Sequence, residues 1–198
     1  MTTFTGTIAG SGNQSGTLVI TVSATVLATA AVKAQDAATA TAVLTLINGG
    51  GTFNLSGTFD TVSGALNLSG GGFTLTGTIS KDQVTGTYTG PNNVTGAFTN
   101  LDSTHTTVTT YCGTYQASHD SGVWNLQVSA NGSADGSAYV TSGTGHAVFL
   151  TGSLNGTSLE IVTSDGVDVN GTVQNGTVVC SFIDKDGRPG TCSGATCH

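Results

Sequence analysis

Positive charge is almost missing from this chain. Its only bases are Lys33, Lys81, Lys185 and Arg188, against 11 acids, for a formal net charge of −7. A protein that grips a phosphate backbone needs a basic face to displace counterions, so nucleic acid is excluded as a partner. Charge of either sign is scarce: 8% of residues carry it, where a soluble domain has about 25%. Glu160 is the sole glutamate. No run of about 20 apolar residues exists, so no segment reads as a transmembrane helix. A transmembrane barrel is disfavoured too, because the strands read from the pattern, five to eight residues long, fall short of the roughly 9–11 that span a bilayer. The start, Met1-Thr2-Thr3-Phe4, has neither the basic nor the apolar segment of a signal peptide. The four cysteines, an even number in a lysine-poor, Thr/Gly-rich chain, nevertheless favour an oxidising setting. The expected location is extracellular or at the cell surface, with any leader already removed.

What fills the chain instead is Thr, Ser, Gly and Asn arranged on a short repeat. The pattern apolar, any, Gly, Thr/Ser/Ala, apolar occurs eight times: at residues 4–8, 55–59, 75–79, 84–88, 94–98, 111–115, 150–154 and 169–173. In a strand, residues i, i+2 and i+4 share a face. Each copy therefore turns two apolar side chains and a waist glycine inward, and mostly hydroxyls outward. Thr favours strands and Gly interrupts helices, so the chain reads as all-β.

The two halves align on each other. Residues 2–8 match 109–115, residues 15–23 match 121–129, Leu55–Phe59 matches Leu150–Leu154, and Phe73–Ile79 matches Val167–Val173, in one co-linear order. That order marks a tandem duplication. Turn signals every 8–12 residues give about eight short strands per half, the spacing of meander barrels and sandwiches. The expected architecture is two tandem antiparallel meander barrels or sandwiches: an N-terminal repeat over 1–103 and a C-terminal repeat over 109–198. An Ala-rich insertion at 24–42 interrupts the first and reads as a hairpin, because Thr and Val are interleaved, with a short helix as the alternative. Asn131-Gly132, Asn155-Gly156 and Asn175-Gly176 are signals for two-residue type I′ hairpins, whose central residues both need positive φ. Gly113 through Ser129 resembles the opening hairpin of avidin- and lipocalin-type meander barrels; the likeness covers that hairpin alone and carries over no ligand residue. Trp124 is expected inside, facing the waist glycines, since it shares a face with Leu126 and Val128.

Counting strands alternately up and down in the second half gathers all its Asn-Gly turns at one end. The other end collects Ser118, His119, Asp120, His146, Asp165, Asp184, Asp186 and Arg188. The matching loops of the first half (residues 10–15, 48–51, 70–72 and 90–93) contain no ionisable group. Loops on a rigid scaffold are where barrels carry function, although Asp and Ser are also ordinary turn formers. Three chemistries fit the cluster. His119 and His146 with a carboxylate from Asp120, Asp165, Asp184 or Asp186 offer ligands for zinc. Asp184-Lys185-Asp186-Gly187 resembles the start of a calcium loop, but Ala195 stands where the bidentate acid belongs. Ser118, His119 and Asp120 are the residue types of a hydrolase triad, though as neighbours they cannot form one, and no nucleophile elbow appears.

The function expected is a secreted or surface binding or structural module whose ligand site, for a divalent metal, a glycan, a small molecule or another surface, lies at the loop end of the C-terminal repeat. The alternative is a hydrolase, metal-dependent or not, using His119 or His146 with nearby Asp residues. A lesser alternative is binding of ice or glycan by outward rows such as Thr5/Thr7, Ser56/Thr58, Thr76/Thr78 and Thr85/Thr87; sheet twist opposes it. Low charge also leaves strand edges open to self-association.

Two disulfides are expected, Cys180–Cys192 and Cys112–Cys197. The alignment puts Cys180 and Cys192 on the inner face of adjacent strands. In a closed barrel the last strand lies beside the first, which brings Cys197 to Cys112. The rival pairing is Cys192–Cys197 with Cys112–Cys180.

Overall fold

A computed structural model describes residues 2–12, 14–23, 37–46, 51–80, 83–102, 108–142 and 145–197. The first half contains β1 (Thr2–Gly10), β2 (Gln14–Ser23), β3 (Ala37–Leu46), β4 (Gly51–Asp60), β5 (Ala65–Gly70), β6 (Phe73–Ser80), β7 (Gln83–Thr89) and β8 (Thr95–Asp102). The second contains β9 (Val108–Gln116), β10 (Ser121–Ser129), β11 (Ser133–Val140), β12 (His146–Asn155), β13 (Ser158–Thr163), β14 (Asp168–Gln174), β15 (Thr177–Ile183) and β16 (Pro189–Thr196). Each set is an antiparallel meander closed on itself, β1 pairing with β8 and β16 with β9. Closure removes the exposed edges that low charge would otherwise leave unguarded. Of the Ala-rich stretch 24–42, expected as an inserted hairpin, residues 37–42 instead belong to the barrel strand β3; residues 24–36 lie outside the described residues.

The period-two pattern sets the inside and outside of both barrels. Leu18, Ile20, Leu44, Leu55, Leu66, Leu68, Leu75 and Phe98 are buried in the first; Trp124, Leu126, Leu150, Leu159, Ile161 and Val178 are buried in the second. The strands run to 10 residues, longer than the pattern indicated, so strand length does not argue against a membrane barrel. The direction of the faces does: apolar side chains point inward and Thr, Ser and Asn outward, the reverse of a lipid-facing band. No helix among the described residues is long and apolar enough to cross a membrane.

Register confirms the duplication strand by strand. Leu18 faces Leu44 as Trp124 faces Ala138, and Gly86 faces Phe98 as Cys180 faces Cys192. The waist glycines make room for rings: a Cβ on Gly86 would lie 2.5 Å from Phe98 Cζ, and one on Gly113 2.5 Å from Trp124 Cζ2. Trp124 is buried as expected, and its indole N–H donates to the Thr114 carbonyl at 3.1 Å. The disulfides are Cys180–Cys192, with Cα atoms 4.9 Å apart, and Cys112–Cys197, at 5.7 Å. Only Asn175-Gly176 has positive φ at both residues. At the other two sites only the glycine does, because Asn131 instead accepts bonds from Ser133 N and Ser129 Oγ, and Asn155 is still the last residue of β12.

The barrels lie side by side. The outer faces of β1 and β8 pack on those of β10 and β11, burying Thr7, Ala9, Ala97 and Thr99 against Val123, Asn125, Ser137 and Tyr139. Ser137 Oγ donates to the Ala97 carbonyl at 3.4 Å, and the Thr95 and Tyr139 hydroxyls are 3.3 Å apart. Thr95 opens β8 and Tyr139 nearly ends β11, so the loop ends of both barrels face the same way. Thr7 is fully buried in this contact, which removes the Thr5/Thr7 row from the open surface. Thr76 and Thr87 stay exposed on the curved wall, their hydroxyls 3.4 Å apart.

Candidate functional site

The two barrel interiors differ at the loop end. In the first, Phe53 begins the inner row of β4 and Phe73 begins β6. Their rings meet at 4.8 Å, and Phe73 also faces Tyr88 at 6.3 Å. This stack packs across the loop end of the first barrel, with Phe73 and Tyr88 buried and Phe53 partly so. In the second barrel the register puts Val148 where Phe53 stands, Val167 where Phe73 stands and Cys192 where Phe98 stands; Tyr88 and Phe4 keep a ring, as Phe182 and Tyr111, and Tyr115 and Trp124 stand where Ile8 and Leu18 do. Three rings are thus replaced by small side chains along one side of the interior.

The result is a cavity of about 360 Å³ running from the waist to the loop end. Its walls are apolar: Leu126, Val148, Leu150, Ile161, Val169 and the Cys180–Cys192 bridge contribute, with the rings of Tyr115, Trp124 and Phe182. Tyr115 and Phe182 meet edge-on at 6.1 Å. Its mouth is polar: Asp120, His146, Thr163, Asp165, Asp184, Lys185 and Asp186 line it. Burial, with the nearby Asp120 and Asp165 charges, pushes the Tyr115 hydroxyl above its ordinary range. It therefore stays a neutral donor and acceptor at the cavity wall.

The mouth residues are held by the loops that carry them. Asp184 Oδ1 accepts from the backbone N–H groups of Asp186 and Arg188 at 2.9 and 2.8 Å, fixing the β15–β16 turn around Gly187. That local use is what Asp at a turn ordinarily does, and it accounts for the resemblance to a calcium loop. Asp165 accepts from Thr163 Oγ1 at 2.5 Å and pairs with Lys185 at 3.5 Å. Arg188 pairs with Asp186 at 3.1 Å. The Asp120 backbone carbonyl accepts from Ala117 N, which closes the β9–β10 loop.

Five sequence candidates therefore converge on one mouth: Asp120, His146, Asp165, Asp184 and Asp186. Ser118 and His119 are exposed on the β9–β10 loop and do not line the cavity. Among the described residues, no three His, Cys, Asp or Glu side chains form a group that could hold a metal ion. No hydrogen bond or ion pair joins His119 or His146 to a serine or carboxylate among them. The arrangement can enclose an apolar body and meet a polar group at the opening. The residues that the sequence reading passed over are Tyr115, Val148, Val167 and Phe182. The signal was the size, not the polarity, of the residues at matched positions in the two halves. No known family model matches the chain, and no curated protein is significantly similar to it in sequence.

Proposed function

We propose that the chain is an extracellular binding module whose second barrel takes up a small, largely apolar molecule through its loop end. The carrying observation is the contrast inside one molecule: Phe53 and Phe73 plug the first barrel, while Val148 and Val167 leave the same place open in the second. A volume of about 360 Å³ lies at the lower end of the range for ligand sites, roughly 300–1,000 Å³, which suits a compact molecule of one or two rings. The first barrel then serves as a rigid support packed along β10 and β11. Two disulfides and no free cysteine suit a protein that works in an oxidising environment.

Trp124 is the sole tryptophan and lines the cavity, so its fluorescence reports occupancy. Titration with a small aromatic alcohol is expected to give a saturable change. The Val148→Phe/Val167→Phe variant is expected to abolish it. A fluorescence change that never saturates, or that survives in this variant, would refute a site inside the barrel.

A further inference from the structure

The cavity mouth is charged, and its charges are unequal. Asp120, Asp165, Asp184 and Asp186 face Lys185 and Arg188. Both bases are already engaged, Lys185 with Asp165 and Arg188 with Asp186. Asp184 spends one carboxylate oxygen on its own turn. Asp120 has no cationic partner within ion-pair distance among the described residues; it is half-buried, lines the cavity with Tyr115, and its charge reaches the Tyr115 hydroxyl. An anionic ligand head would enter a site with surplus negative charge, whose lysine and arginine are already paired among the described residues. A protonated nitrogen would meet the carboxylate of a half-buried residue at the edge of an apolar cavity, where attraction exceeds that in bulk water.

A second observation points the same way. The aromatic side chains in the cavity wall are Tyr115, Trp124 and Phe182, and Tyr115 and Phe182 stand at its loop end. Aromatic faces attract cations through the ring quadrupole, most strongly where water is excluded. Carboxylate and rings together form the surroundings in which an ammonium group is held.

We infer that the second barrel binds an organic amine: an aromatic or short alkyl body among Leu126, Leu150 and Ile161, with its protonated nitrogen at Asp120. This rests on the reading of the cavity as a binding site and adds the ligand's chemical class. Fatty acids and other apolar carboxylates are selected against by the same charges.

The test is calorimetric titration of the whole chain, disulfides intact, with three probes that share one ring system: 1-naphthylmethylamine, 1-naphthylmethanol and 1-naphthoate. At neutral pH and low salt, the amine is expected to bind about tenfold more tightly than the alcohol, and the carboxylate more weakly than both. Raising the salt to about 0.5 M is expected to narrow the ratio of amine to alcohol affinity, as screening requires. Asp120→Asn should reduce that ratio several-fold. Alcohol binding as tight as amine binding, or carboxylate binding the tightest, overturns the amine inference and leaves the cavity standing. Failure of all three probes overturns both. An unchanged ratio in Asp120→Asn overturns the placement of the nitrogen.

Discussion

The Val148→Phe/Val167→Phe variant transplants the plug of the first barrel into the second, and the sign of its effect on stability is the sharpest measure of whether the second barrel is hollow. In a packed core, adding a ring in place of two methyls strains the surroundings and costs about 1–3 kcal/mol per site. Here each new ring would enter open space lined by Ile161, Val169 and Phe182. A phenyl ring in place of an isopropyl group buries on the order of 60 Å² more apolar surface, worth about 1.5–2 kcal/mol per site. A ring pair such as Phe53–Phe73, at 4.8 Å, adds about 0.5–1.5 kcal/mol beyond area, and fixing each side chain costs about 0.5–1 kcal/mol. The double variant should thus be about 2–4 kcal/mol more stable than the parent. Each single variant should gain less than half of that, because the ring pair exists only in the double. Urea unfolding followed by Trp124 fluorescence reads the second barrel specifically, since the first has no tryptophan. A double variant less stable than the parent would show that side chains already occupy the space, and the reasoning from the duplication would fail with it.

Other outcomes follow from the same geometry. Removing the Cys112–Cys197 bridge, 85 residues apart, should cost about 4–5 kcal/mol from loop entropy, against about 3 for Cys180–Cys192, 12 residues apart; urea unfolding of the two Cys→Ala pairs would show the opposite order if barrel closure contributed little. Gly86→Ala puts a Cβ 2.3 Å from the Thr76 carbonyl and 2.5 Å from Phe98 Cζ, so it should destabilise the first barrel by about 2 kcal/mol or more, without altering ligand uptake in the second. Tyr88 and Tyr115 have their hydroxyl pKa values raised, chiefly by burial, above the ordinary 10.0. Above that pH the unfolded chain sheds phenolic protons that the folded chain keeps, so stability should be flat up to about pH 10 and fall beyond it. The phenolate absorbance that Tyr88→Phe and Tyr115→Phe remove should then appear together with unfolding rather than before it.

Much of this molecule is written in its period-two text. Inner and outer faces, the closing contact of β16 with β9, both disulfides and the gathering of Asp120, His146, Asp165, Asp184 and Asp186 at one end all follow from alternation and the up-down count. Two features do not. Alternation records polarity, and it cannot tell a hydroxyl that meets water from one that meets another barrel. Asn125 and Ser137, outward-facing and polar, are fully buried, and the side-chain nitrogen and oxygen of Asn125 have no hydrogen-bond partner. Nor does polarity record volume. Phe73 and Val167 count alike as apolar, yet one closes a barrel and the other leaves it open. The Asp184 loop shows a third limit: its carboxylate looks like a ligand in sequence because turn chemistry and metal chemistry favour the same residues.

The barrels touch through different parts of their shared plan. The first uses its last and first strands, the second its second and third. In the language of assemblies this is a heterologous contact, head to tail, not the self-complementary kind that a two-fold axis produces. A heterologous pair always keeps one patch of each type unused. On the first barrel the open patch is the part of β2 and β3 where Val19 and Val43 pair across the strands at 37% and 40% exposure. Their counterparts in the second barrel are the buried Asn125 and Ser137. The unused patch on the second barrel is the outer face of β16 and β9. The molecule is consequently directional, with a head and a tail.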